Sequence, residues 1–77
     1  MPQHTPTGAV YRKTELVGTS DVGFAEAVRG AMDRAQKTLR NVSWFEVKEE
    51  RGRLTDGHLE FQVTIEVGFA LEDTVHP

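Results

Sequence analysis

The chain predicts an α+β subunit of β-α-β-β order, in which a three-stranded antiparallel-type sheet wraps one helix. Three observations carry that expectation. An unbroken alternation runs from Leu59 to Leu71: Leu59, Phe61, Val63, Ile65, Val67, Phe69 and Leu71 fall on one face, and Glu60, Gln62, Thr64, Glu66, Gly68 and Ala70 on the other. That is a strand with one dry side. Asp56-Gly57, just ahead of it, is a two-residue hairpin signal, because both central residues of such a turn take positive φ. Between Asp21 and Arg40 the apolar residues recur instead near the 3.6-residue period of a helix.

Taken in order, Met1 to Gly8 holds two prolines and no periodicity and is expected to be a loose arm. Residues 9–72 then form a single domain, and residues 73–77 a short tail; neither end is expected to carry function. Val10 to Val17 has strand composition, and Gly18 is expected to end that strand. Thr19, Ser20 and Asp21 offer N-cap candidates, with Asp21 well placed at the positive end of a helix dipole. The helix from Asp21 to Arg40 buries Phe24, Ala27, Val28, Ala31, Ala35 and Leu39, and its alanines permit close approach to a sheet. Gly23 and Gly30 each cost about 1 kcal/mol relative to alanine in a helix, so the helix depends on the surface that holds it.

A second strand opens at Trp44, with Phe45 and Val47 on one side and Trp44, Glu46 and Lys48 on the other. Counted back from the turn without interruption, it would pair wet faces with dry ones. One extra residue must therefore be absorbed, and Gly52 is the expected bulge. Phe45 then faces Val67, Val47 faces Ile65, Gln62 faces Glu50, and Trp44 lies over Gly68 on the outer, polar face. Trp44 there admits two readings: it caps the core edge or packs in a subunit contact, or it is a stacking platform for a flat ligand. The same register sets Glu46 against Glu66, a destabilising like-charge pair. The last strand, with the fullest apolar face, is expected at the centre of the sheet, flanked by the first and second strands, which run parallel to each other and are joined by a helical crossover.

The last strand also sets a size problem. Thirteen extended residues span roughly 43 Å, whereas a compact globule of this length has a diameter of only about 30 Å. Its ends either fray in water or are covered by other copies of the chain. With 77 residues and no cysteine, a single core supplies only about 3 to 5 kcal/mol and disulfides cannot add to it. The three histidines, His4, His58 and His76, are too scattered for a metal site. Oligomerisation is the remaining support.

Charge and composition narrow the partners. A net charge of −3 argues against nucleic acid. Arg29, Asp33 and Lys37 are spaced by four and read as solvated helix pairs. No apolar run of spanning length and no signal peptide is present, so no membrane is expected and the cytoplasm is the expected location. An enzyme would need an acid and base beside a substrate. Glu46, Glu66 and His58 can be invoked, but nothing places them in a water-excluded pocket with an activated nucleophile, and no catalysis is expected.

Four stretches resemble the dodecin family: Val10-Tyr11-Arg12-Lys13; Glu15-Leu16-Val17-Gly18-Thr19-Ser20; Asn41-Val42-Ser43-Trp44-Phe45-Glu46-Val47; and Phe61-Gln62-Val63 through Glu66-Val67-Gly68-Phe69. The resemblance spans nearly everything from Val10 to Glu72. It implies a homododecamer, a hollow shell that stores and protects flavin, bound in pairs at two-fold contacts between subunits. Bacterial members look like FMN binders, archaeal relatives favour riboflavin, and some bacterial members bind coenzyme A. Carried onto this chain, Trp44 is the stacking residue and Gln62 hydrogen-bonds the polar edge of the isoalloxazine. Arg51 matches a basic position that reaches the FMN phosphate, or is a solvated turn arginine; Ala70 stands where some relatives carry a basic residue. The rival reading is a self-assembling shell or interaction module without flavin. Trp44 and Gln62 lie six residues apart along the sheet, roughly 20 Å, so the pair touching one flavin is expected to come from different chains.

Overall fold

The computed structural model describes residues 8–71; the expectations for the arm, the tail, His4 and His76 fall almost wholly outside that range. Four elements follow in the expected order: β1 (Tyr11–Ser20), α1 (Phe24–Thr38), β2 (Val42–Thr55) and β3 (His58–Ala70). The sheet order is β1-β3-β2, and β3 runs antiparallel to both neighbours. The strand with the fullest apolar face is thus central, and β1 and β2 flank it in parallel.

The hairpin turn is the one the sequence demands. Asp56 and Gly57 take φ of 51° and 79°, which suits the right-handed twist of the two strands they join. The helix begins later than expected. Ser20 Oγ accepts hydrogen bonds from the amides of Val22 and Gly23 at 2.9 and 3.4 Å, holding Asp21 to Gly23 in a turn before α1 starts at Phe24. Hydroxyl side chains compete for backbone amides in this way.

β1 runs through Gly18 rather than ending there. That residue lies beneath the helix, and a Cβ on it would run into the carbonyl oxygen of Ala27 and touch the Ala31 side chain. Gly18 is therefore a packing position: its bare backbone lets α1 settle onto the sheet. Ala27, Ala31 and Ala35 close the other side of that contact over Val63, Ile65 and Val67. Phe24 meets Phe61 edge-on, centroids 5.1 Å apart, and anchors the start of the helix.

A 15-residue helix is roughly 22 Å long, and a 13-residue strand about twice that. The helix therefore covers only half of the strand it lies on. Leu59 and Leu71, the ends of the apolar alternation, are exposed, and Leu71 lies just past β3. The radius of gyration is 16.9 Å, against about 11 to 12 Å for a compact chain of this length. The hairpin projects beyond the body of the subunit, as the strand length required.

The interruption in the hairpin register falls at Lys48, between Val47 and Glu49, and not at Gly52. This shifts the partners of residues 61–64 by one: Gln62 lies opposite Arg51, not Glu50. The physical gain is clear. Gly52, which has no side chain, now takes the dry-face position opposite Phe61, and Arg51 is spared it. A second irregularity at Ser43 separates Val42 from Trp44.

Candidate functional site

The outer face of the sheet, away from α1, carries the residues of interest. Trp44 pairs with Gly68, Phe45 with Val67 and Val47 with Ile65, as the alternation required. The indole lies directly on the backbone of Gly68, where an added Cβ would run into its six-membered ring. Tyr11, across β3, closes on it edge-to-face with centroids 5.0 Å apart and an interplanar angle of 62°. Trp44 remains 37% exposed. An aromatic ring braced by bare backbone and by a second ring, yet open to solvent, has the chemistry to stack against a planar group.

The next row holds the like-charge pair. Glu46 does oppose Glu66, but Lys13 of β1 places its Nζ 3.1 Å from Glu66 Oε1 and 3.5 Å from Glu46 Oε1. Lys48, freed by the bulge, adds a contact of 3.8 Å to Glu66. The Lys13 ammonium is held above its ordinary pKa, first by its hydrogen bond to Glu66 and then by the charges of both carboxylates. The expected repulsion is thereby offset by a cation on the third strand.

Gln62 lies further along the same face, between Thr19 of β1 and Arg51 of β2. Its Nε2 donates to Glu60 Oε1 at 3.1 Å. Arg53, paired with Glu60 across the hairpin, donates to that oxygen from Nε at 3.0 Å and Nη2 at 2.8 Å. These hydrogen bonds, Arg53's first and Gln62's second, hold the Glu60 carboxyl below its usual range. Arg51 is exposed beside Gln62.

The three proposed ligand residues thus share one face but not one place. Arg51 and Gln62 are direct neighbours, while Trp44 sits six β3 residues away, roughly 20 Å at about 3.3 Å per residue. An open concavity of about 650 Å³ lies near the hairpin tip, lined by residues that include Thr19, Asp21, Arg53, His58 and Glu60, and it does not reach the indole. Tyr11, Lys13, Arg53 and Glu60 were not singled out from sequence. Tyr11 becomes visible only once the β1 register places it beside Ala70, whereas Arg53 and Glu60 face each other in any hairpin built on Asp56-Gly57. Among the described residues no His, Asp and Glu cluster is arranged to hold a metal ion. No helix of the described residues is long and apolar enough to cross a membrane.

Comparison with known proteins agrees with this architecture. The family model described as Dodecin matches residues 10–72. Dodecin from Thermus thermophilus is 56% identical over 68 residues, 87% of this chain and 99% of that protein. A crystal structure of an arginine-to-alanine variant of the T. thermophilus dodecin superposes with a TM-score of 0.81 at 56% identity, covering 87% of this chain and all of that one. Dodecin from Streptomyces coelicolor gives a TM-score of 0.82 at 46% identity, over 90% of this chain and all of its own. On this agreement of sequence and fold, the chain belongs to the dodecin family.

Proposed function

We propose that this chain assembles into a homododecameric shell that stores flavin, FMN or riboflavin, in the cytoplasm, without catalysing a reaction. The observation that carries the reading is the placement of Trp44: an indole on the outer sheet face, flat on Gly68, partly open to solvent. A planar ring stacked there gains on the order of 1 to 3 kcal/mol by analogy with nucleic-acid bases. Gln62 supplies the donor and acceptor that an imide edge needs, and Arg51 supplies a cation for the phosphate of FMN.

Because Trp44 and Gln62 of one chain are too far apart to grip one ring, the site is completed by a second subunit. The apolar strip left bare by α1 supports the same conclusion. Phe45 and Val47 remain 44% and 42% exposed on the dry face, and a second copy of the chain is the natural cover. Flavins bind in pairs on the outer face where two Trp44 platforms meet, each between an indole and its neighbour. The flavin contributes light absorption and an excited state that accepts electrons. Trp44, placed to stack against a bound flavin, would donate an electron to that excited state and recover it by charge recombination, so the excitation would be lost before it does photochemical damage. Coenzyme A is a further candidate ligand.

The test is the absorption spectrum and size-exclusion mass of purified protein, followed by fluorescence titration with FMN for wild type and Trp44→Ala. The reading expects yellow protein near twelve times the chain mass, with FMN binding weakened roughly tenfold or more by Trp44→Ala. A colourless protein that assembles normally and is not quenched by FMN supports the flavin-free shell instead.

A further inference from the structure

The Gln62 amide does not stand alone, and its partner decides which way it points. A primary amide can face a neighbour with either its oxygen or its NH2 group, but an ionised carboxylate only accepts hydrogen bonds. Glu60 Oε1, 3.1 Å away, can therefore be met only by Nε2. The same oxygen accepts two hydrogen bonds from Arg53, from Nε at 3.0 Å and Nη2 at 2.8 Å, charge-assisted contacts that hold it beside the amide. Gln62 is partly buried, so its carbonyl oxygen is turned to the end away from Glu60. Around it on this face stand Arg51, Arg53 and Glu60, with Thr19 on the other side.

Resting on the flavin reading above, we propose that Glu60, pinned by Arg53, is a positioning residue that locks the Gln62 amide with its oxygen toward the ligand, selecting guests that present an N–H donor. The imide N–H of the isoalloxazine is such a donor, flanked by two carbonyl acceptors. The second amide hydrogen of Gln62 remains for one of those carbonyls. A ring that offers an acceptor where the imide offers its N–H meets oxygen against oxygen. Glu60 itself touches no ligand in this arrangement; it acts through Gln62.

The lock has a spectroscopic signature. When riboflavin loses its imide proton at alkaline pH, a freely turning amide swings its NH2 toward the new anion and stabilises it. An amide locked oxygen-first cannot. Bound riboflavin should therefore deprotonate at higher pH in wild-type protein than in Glu60→Gln, by about one pH unit, a tenfold change in the equilibrium. Glu60→Asp, which keeps the carboxylate charge but withdraws it from the amide by one methylene, should fall between the two, whereas a shift caused by charge alone would leave it at the wild-type midpoint. The measurement is an absorption titration of the riboflavin complex for the three proteins, each checked for wild-type assembled mass. Fluorescence quenching at neutral pH establishes first that riboflavin binds. If wild-type protein binds no riboflavin, the flavin reading falls and this proposal falls with it. If riboflavin binds and the three midpoints coincide, the flavin reading stands and only the lock is overturned. A second readout needs no flavin: the chain has three glutamines, so selective ¹⁵N-glutamine labelling resolves the Gln62 side-chain amide. Its two N–H signals should be well separated in wild type and draw together in Glu60→Ala, which keeps the glutamine count at three, and unchanged signals overturn the lock independently.

Discussion

Val47 and Ile65 are paired across the hairpin on the same dry face of the same sheet, yet one is 42% exposed and the other fully buried. The same holds for Phe45, 44% exposed, and its partner Val67, which is fully buried. The difference lies above the sheet and not within it. α1 packs chiefly on β1 and β3 and barely touches β2, so one half of the apolar face is closed by the chain itself and the other half is left for something else. Alternation in a strand states that a face must be dry; it does not say which molecule dries it.

The sharpest way to break that contrast is to truncate one residue in each half. Ile65→Ala removes buried volume beneath the helix and should cost about 2 to 5 kcal/mol, read as a loss of unfolding free energy in denaturant that persists whatever the assembly state. Phe45→Ala should behave differently. Less than half of that side chain remains to be covered, so about 1 kcal/mol per subunit is expected, together with a loss of assembled mass on dilution. If Phe45→Ala changed neither stability beyond about 0.5 kcal/mol nor assembled mass, the bare half of the face would be ordinary solvent-exposed surface.

The two halves also differ in how well the sequence foretold them. The central position of β3, the Asp56-Gly57 turn, the residues beneath the helix and the Trp44–Gly68 pairing were legible, because a period of two admits only registers that keep the dry face dry. The place of the bulge was not. Any single insertion between Val47 and Arg53 restores the same pairing at Trp44, so periodicity fixes the number of extra residues and leaves their position open. Glycine suggested Gly52; the structure inserts Lys48, whose side chain reaches Glu66, and so moves Gln62 opposite Arg51. Gly18 departs from expectation for a related reason: a glycine that lets a helix approach and one that ends a strand look the same in sequence. Tyr11 and Lys13 escape a reading of the sequence because their roles depend on cross-strand neighbours in β3 and β2, and no turn fixes the register of β1.

The platform itself offers a finer probe. Gly68→Ala places a methyl group where the indole now lies, so the ring must tilt from the backbone while the dry face on the other side of the sheet stays intact. FMN affinity should fall by roughly fivefold, about 1 kcal/mol of stacking, and the quenching of bound FMN should weaken. Titration of Gly68→Ala beside Trp44→Ala checks this: the glycine variant should retain part of the binding that the alanine variant loses. Equal affinity in Gly68→Ala and wild type would mean that the flatness of the indole on Gly68 does not matter to the guest.

The smallest effect is expected one row away, where Lys13 bridges Glu46 and Glu66. Lys13→Met keeps the stem and removes the charge, leaving the two carboxylates opposed, with Lys48 3.8 Å from Glu66. Destabilisation should be slight, since all of these groups are largely solvated, and it should shrink in high salt. Its pH dependence has a definite sign. The folded protein holds the Lys13 ammonium above its ordinary pKa of 10.5, so folding favours the charged form. The contribution is therefore fully present below pH 10.5 and is lost as pH rises through the higher, folded value. Denaturant midpoints of wild type and Lys13→Met should differ by a constant amount through neutral pH and converge above that point. A gap that persisted in strong alkali and in high salt would trace the effect to packing of the lysine stem against the sheet and not to its charge.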